Sequence, residues 1–187
     1  PEATLEWNDA AVEGSYRFLR RVWNFAAAQQ ARLAPLVGQK PNQTTLSDAG
    51  KALRRELHVV LGQIDFDYER MQYNTVVSGC MKLLNALEGF KTSAGAADDA
   101  VLAEGLSILL RTLYPACPHI TAQLWQGLGY AATHGDLLDT AWPAVDAAAL
   151  VQDEIELMLQ INGKLRGAIK VPATADKAQI EQLALAC

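Results

Sequence analysis

The residues of this 187-residue chain that could carry out chemistry are few and scattered. Cys117-Pro118-His119 contains one pair of metal-ligand types, but the second pair that a tetrahedral zinc site needs is missing. Asp65 and Asp67 are neighbouring carboxylates, which we interpret as a helix cap and a surface charge. The phosphate-binding pattern GxxxxGK[ST], the dinucleotide pattern GxGxxG and the nucleophile pattern GxSxG do not occur. The sequence therefore predicts neither a catalytic site nor a metal site.

Basic side chains are concentrated in one part of the chain. The net charge is −5, yet residues 14–55 contain eight Lys and Arg and one acid, whereas residues 56–157 contain four bases and fourteen acids. Such segregation can direct an anionic partner to one face of an acidic protein. The alternative is a solvated helix face that provides only solubility. The candidate nucleic-acid contacts are Arg17, Arg20, Arg21, Lys51, Arg54 and Arg55, with Lys164, Arg166 and Lys170 as a second patch.

The elements that must position these residues are mainly helices. Apolar residues recur at spacings of three and four, which predicts a bundle of about five helices over residues 1–150. The helices are expected at about 9–33, 45–65, 68–90, 97–114 and 117–128. In the first helix the predicted inward stripe is Val12, Tyr16, Leu19, Trp23 and Ala26. Arg17, Arg20 and Arg21 lie away from that stripe.

The other helices have their own predicted caps and inward rows. Thr44, Thr45 or Ser47 could cap the second helix, and Asp67 is the expected N-cap of the third. The inward rows are Leu53, Leu57, Leu61 and Ile64 in the second helix, Tyr73, Val76 or Val77, Cys80, Leu84 and Leu87 in the third, Leu102, Leu106, Leu109 and Leu113 in the fourth, and Ile120, Leu124 and Trp125 in the fifth.

After Leu150 the apolar period changes from 3.6 to 2, which predicts a strand, and Asn162-Gly163 predicts a hairpin. One register places apolar side chains on one face of the hairpin and polar side chains on the other. It pairs Ile161 with Leu165, Gln160 with Arg166, Leu157 with Ile169 and Glu156 with Lys170. This register requires a three-residue connection or a bulge next to the turn. A last helix, capped by Thr174, is expected to turn Ile180, Leu183 and Ala184 inward. Two strands and one helix bury little apolar surface by themselves. Residues 151–187 are therefore predicted to be the first part of a small α/β domain.

The two ends of the chain favour a piece of a longer protein, since there is no initiator Met and the last pattern is interrupted. Three cysteines without a CxxC pair argue against a disulfide-rich secreted module. No apolar run reaches the length of a membrane span.

The segment from Leu5-Glu6-Trp7 through Val12-Glu13-Gly14 to Arg17-Phe18-Leu19-Arg20-Arg21-Val22-Trp23 resembles the start of the anticodon-binding helical bundle of bacterial leucyl-tRNA synthetases. Further similar stretches are Leu53-Arg54-Arg55-Glu56-Leu57-His58, Tyr73-Asn74-Thr75-Val76, Pro115-Ala116-Cys117-Pro118-His119-Ile120 and Trp142-Pro143 with Asp146. Gln160-Ile161-Asn162-Gly163-Lys164-Leu165-Arg166 looks like the opening hairpin of their C-terminal domain.

The resemblance implies a class I synthetase anticodon-binding bundle, followed by an incomplete C-terminal α/β domain. It implies a cytoplasmic, monomeric parent enzyme that charges leucine tRNA with leucine, using ATP and magnesium. The HIGH-type and KMSKS-type motifs of such enzymes do not occur here, so the catalytic domain is expected upstream and this piece is expected to be inactive. Its partners would be leucine tRNA and that catalytic domain. Two alternatives remain: a structural bundle that braces the catalytic domain, and a stand-alone module that binds a protein partner.

Overall fold

The computed structural model describes residues 8–91, 95–151, 154–161, 164–172 and 175–185. The chain divides into two compact units, Pro1–Ala149 and Leu150–Cys187, which are described separately below. Within the described residues, no helix combines the length and the apolar character needed to cross a membrane.

The first unit is a helical bundle, as predicted. Its long helices are α1 (Asp9–Leu33), α2 (Asp48–Glu69), α3 (Tyr73–Gly89), α4 (Ala96–Leu113) and α5 (Pro118–Gly127). A 3₁₀ turn (Ala34–Leu36) follows α1, and two short helices, α6 (Tyr130–His134) and α7 (Ala147–Leu150), follow α5. Ser47, one of the three predicted caps, begins α2, because its hydroxyl accepts a hydrogen bond from the amide of Gly50 at 3.0 Å.

The fourth helix forms the centre of the bundle. It contacts α1, α2, α3 and α5, and nearly every residue from Ala100 to Leu113 is buried. Gly105 allows close packing, because a Cβ there would lie 2.6 Å from Leu87 Cδ2 and 2.8 Å from Leu57 Cδ1. The predicted inward rows of α2 and α4 are confirmed in full. Burial of these leucines is the main stabilising contribution to the fold.

The first helix has the predicted bounds but buries a different face. Its buried residues are Phe18, Val22, Ala26 and Leu33. The prediction that Val12, Tyr16 and Trp23 point inward is wrong, since they are 46%, 60% and 43% exposed. Two apolar rows run side by side along this helix, and helical spacing alone cannot choose between them.

The boundary between α2 and α3 also differs from the prediction. Helix α2 continues to Glu69, so Asp67 lies inside it and does not cap α3. The chain turns at Met71, whose φ of 55° lies in the left-handed region that non-glycine residues seldom adopt. The predicted inward residue Tyr73 is 54% exposed, whereas the rest of the row, beginning at Val76, is buried.

The second unit contains an antiparallel hairpin of β1 (Glu154–Ile161) and β2 (Lys164–Pro172), followed by α8 (Lys177–Leu185), which contacts β2. Leu157 pairs with Ile169 and Glu156 with Lys170, as predicted. The pairing then shifts between Leu159 and Gln160, which confirms the predicted irregularity near the turn.

Two details of this unit correct the prediction. Beyond the shift, Gln160 pairs with Leu165 and Ile161 with Lys164, so the two pairs predicted next to the turn are wrong. The amide of Gln179 donates to the carboxylate of Asp176 at 2.9 Å, which makes Asp176 the N-cap of α8. The predicted cap, Thr174, lies outside the described residues. Of the predicted inward residues, Leu183 is 41% exposed.

Candidate nucleic-acid interface

The three candidate arginines of α1 have different surroundings. Arg17 is exposed and forms an ion pair with Glu13, one helical turn away, at 3.8 Å. The exposed Arg20 places its guanidinium 5.7 Å from the ring centroid of Tyr16. Arg21 turns toward α3, where it pairs with Glu88 and donates a hydrogen bond to Asn85 at 2.6 Å. Arg17 and Arg20 therefore present cationic groups at the surface, whereas Arg21 is partly neutralised.

The candidates on α2 divide more sharply. Lys51 and Arg55 are half-buried, but Arg54 is only 1% exposed, so the expectation that it faces a partner is wrong. The guanidinium of Arg54 forms hydrogen bonds with Glu104 at 2.8 and 3.0 Å, with Asp146 at 2.8 Å and with Gln43 at 3.1 Å. These bonds engage its donors inside the bundle, which leaves it unsuited to bind a phosphate.

The candidates on the hairpin can be placed only by register. Lys164 pairs with Ile161 and Lys170 with Glu156, and Arg166 falls where the pairing shifts. The regular alternation that predicted a one-sided basic stripe is therefore interrupted. Their side chains lie outside what the structure describes.

The buried cluster around Arg54 joins α2, α4 and the segment before α7. Glu104 and Asp146 are 16% and 20% exposed, so both carboxylates are largely shielded from water. The hydrogen bond from Arg54 holds the pKa of Asp146 well below its usual range. Burial raises the pKa of Glu104, but the neighbouring donors of His58 and Arg54 outweigh this effect, so the net pKa is lowered. We call Arg54, His58, Glu104 and Asp146 the polar cluster.

His58 completes the polar cluster. Its Nδ1 accepts a hydrogen bond from the backbone amide of Asp146 at 3.1 Å, which assigns the proton of the neutral ring to Nε2. That atom lies 3.4 Å from Glu104 Oε1 and has no hydrogen-bond acceptor among the described residues. His58 thereby fixes the backbone at Asp146.

A cleft of about 370 Å³ opens beside the polar cluster. Lys40, His58, Glu104, Arg111 and Asp146 line it with Tyr130 and His134. Arg111 donates to the carbonyl oxygens of Ser107 at 3.3 Å and Ala141 at 3.1 Å. Burial lowers the pKa of Arg111. Sequence reasoning missed Lys40, His58 and Arg111 as a group because they come from three separate elements.

Comparison with known proteins identifies the fold. The anticodon-binding domain of tRNA ligases matches residues 50–182. This chain belongs to that family. Over 189 residues it is 70% identical to a leucine–tRNA ligase of Variovorax paradoxus (strain S110), and over 186 residues 66% identical to one of Leptothrix cholodnii (strain ATCC 51168 / LMG 8142 / SP-6).

Both matches cover 100% of this chain and 21% of the relative, so the anticodon-binding chain spans about a fifth of the curated relatives' length. A crystal structure of a ternary complex of Agrobacterium radiobacter K84 agnB2 LeuRS with tRNA and LeuAMS is similar in fold, with a TM-score of 0.81 and 26% identity. That match covers 98% of this chain and 23% of the other. The predicted resemblance to leucyl-tRNA synthetases is confirmed.

Proposed function

We propose that this anticodon-binding chain is the tRNA-binding module of a leucyl-tRNA synthetase. It would position leucine tRNA for ATP-dependent leucylation by a catalytic domain elsewhere in the parent chain, where ATP and magnesium act. The observation that carries this proposal is the 70% identity to a leucine–tRNA ligase along the whole chain. The similar LeuRS fold described together with tRNA supports the same partner.

The proposed contact surface centres on the exposed cations of α1, Arg17 and Arg20. Phosphates carry most of the affinity in protein–nucleic acid complexes, and flexible exposed cations can reach them. Arg21, Lys51 and Arg55 would contribute at the edge of this surface, with Lys164, Arg166 and Lys170 as a second patch. Arg54 is removed from the set because its guanidinium is buried against two carboxylates.

Charge reversal tests this surface. Arg17→Glu with Arg20→Glu should weaken leucine tRNA binding and reduce the slope of log affinity against log salt by up to about two units, since each lost phosphate contact removes somewhat under one. The matched control is Arg70→Glu with Lys82→Glu, which changes the net charge equally at exposed positions outside the proposed surface. If both double variants lose the same affinity and slope, only net charge matters and the assignment fails.

A structural role is the second candidate, and one observation favours it. Val12, Tyr16 and Trp23 form an exposed apolar row on α1, which could pack against the catalytic domain as a brace. In that case Trp23→Ala would destabilise the parent enzyme without changing the salt dependence of tRNA binding.

The remaining assignments belong to the parent protein. We assign residues 1–150 to the bundle and residues 151–187 to the first part of a C-terminal α/β domain. The parent would be a cytoplasmic monomer whose catalytic domain contacts this bundle.

A further inference from the structure

The cleft beside the polar cluster is the second concentration of cations in the bundle. Lys40 precedes α2, His58 lies on α2, and Arg111 lies on α4. This cleft is not part of the tRNA-binding surface proposed on α1. Its side chains differ from those of α1 because most of them are held in place by packing and hydrogen bonds.

The carboxylates of the cleft are already occupied by donors. Both oxygens of Glu104 accept hydrogen bonds from Arg54. One oxygen of Asp146 accepts from Arg54 at 2.8 Å and lies 3.2 Å from Lys40 Nζ, while the other accepts the amide of Ala148 at 3.0 Å. The acids of the cleft therefore have little capacity left for a ligand's donors.

Several hydrogen-bond donors of the cleft, in contrast, remain available to a ligand. Arg111 has five N–H groups, and its two hydrogen bonds go to backbone carbonyls and not to an acid within the described residues. The buried Nε2–H of His58 makes no hydrogen bond of good geometry within the described residues, although Glu104 Oε1 lies 3.4 Å away. Lys40 uses one ion pair, and its side chain is 78% exposed at the rim.

The formal charges of the cleft also favour an anionic ligand. Lys40, Arg54 and Arg111 contribute three positive charges, against two negative charges from Glu104 and Asp146. The guanidinium of Arg111 is half-buried and donates only to backbone carbonyls among the described residues, so an anion in the cleft would offset the cost of its desolvation. A phosphate offers several acceptor oxygens, enough for Arg111 and Lys40 together.

From this geometry we infer that the cleft binds a phosphate group, held by Lys40 and Arg111 with His58 in its wall. The phosphate could belong to the tRNA backbone, an assignment that rests on the proposed function, or be a free phosphate in solution. A nucleic-acid contact here would involve the exposed Lys40 at the rim and the half-buried Arg111, and it would require no base reading.

The test uses the 187-residue chain labelled with ¹⁵N and titrated with inorganic phosphate against chloride at constant ionic strength. We expect saturable shifts of the His58 ring nitrogens and of Arg111 Nε. Lys40→Gln and Arg111→Gln should each weaken the binding by about tenfold or more, the effect of losing a hydrogen bond between charged groups. Arg70→Gln is the matched control, because that exposed guanidinium lies 4.4 Å from the Phe66 ring, away from the cleft.

A titration with leucine tRNA distinguishes the two possible sources of the phosphate. If tRNA shifts the same His58 resonances and abolishes the phosphate response, the cleft takes a backbone phosphate. If the phosphate response persists beside bound tRNA, the ligand is free phosphate.

The inference is overturned if phosphate causes no saturable change at His58, or if Lys40→Gln and Arg111→Gln bind it as tightly as the unmodified chain. Lys40→Gln keeps the test valid should Arg111→Gln fail to fold, because Lys40 is exposed. Binding of tRNA without a phosphate response refutes this site alone. A phosphate response in a chain that does not bind tRNA refutes the proposed function alone.

Discussion

Replacing Arg54 by Met tests the polar cluster most directly. Methionine replaces the aliphatic stem of arginine but offers no donors, so Glu104 and Asp146 would lose three charge-assisted hydrogen bonds between 2.8 and 3.0 Å. Removing one partner of a buried ion pair costs about 3–5 kcal/mol because it leaves an uncompensated charge. Both carboxylates retain some exposure, 16% and 20%, so we expect the lower end, about 3 kcal/mol.

The size of this effect should depend on pH. In the folded chain the pKa of Asp146 is depressed, so its ion pair stabilises the fold above the ordinary carboxyl pKa of about 4, and this stabilisation is lost as pH falls toward the folded-state value. In the variant, burial without Arg54 would raise the pKa of Glu104, which would then protonate more readily. The difference in unfolding free energy should therefore be largest near neutral pH and smaller at about pH 4.5.

Urea unfolding followed by far-ultraviolet circular dichroism measures this difference. A loss of about 3 kcal/mol corresponds to a midpoint shift of roughly 1–3 M urea. Arg17→Met is the matched control, because its exposed ion pair at 3.8 Å should contribute only a few tenths of a kcal/mol. An Arg54→Met chain that unfolds at the unmodified midpoint, or that loses the same free energy at both pH values, would refute this reasoning.

The other predictions concern packing and reactivity. Leu84→Ala should lower the free energy of unfolding by about 2–5 kcal/mol because this side chain is fully buried. Trp23→Ala should lower it clearly less, because Trp23 is 43% exposed, and equal losses in urea unfolding would contradict the observed face of α1. Gly105→Ala should cost about 1–3 kcal/mol, because its Cβ would lie 2.6 and 2.8 Å from leucine methyl carbons of α3 and α2, and an unchanged melting temperature would count against this close packing. Burial raises the pKa of Cys80 to about 11, so this thiol should react with a disulfide reagent at pH 8 only on unfolding, and rapid labelling of Cys80 while Cys117 stays unlabelled would contradict its placement.

The sequence predicted the fold well where one apolar row dominates a helix. In α2 the leucines at positions 53, 57 and 61 with Ile64 leave one possible inward face, and all four are buried. In α1 two apolar rows compete, and the choice depends on neighbouring helices that periodicity does not reveal. The break between α2 and α3 is predicted about four residues too early, because the turn at Met71 contains neither glycine nor proline, the residues that usually mark a break.

The candidate site was less predictable than the fold. Arg54 and Arg55 are adjacent and identical in type, yet one is buried in an ion-pair network and the other is half-buried. Only the positions of Glu104 and Asp146, 50 and 92 residues away along the chain, decide this difference. The residues next to Arg54 in the sequence do not reveal such long-range partners. The cleft formed by Lys40 and Arg111 was hidden for the same reason.

We propose that this bundle binds leucine tRNA through phosphate contacts. The most direct measurement is the affinity of the 187-residue chain for leucine tRNA over a series of salt concentrations, with circular dichroism confirming that the bundle is folded. We predict binding that weakens linearly in log affinity against log salt, because each neutralised phosphate releases counterions. A folded chain that does not bind leucine tRNA at low salt, or whose affinity is independent of salt, would contradict the claim.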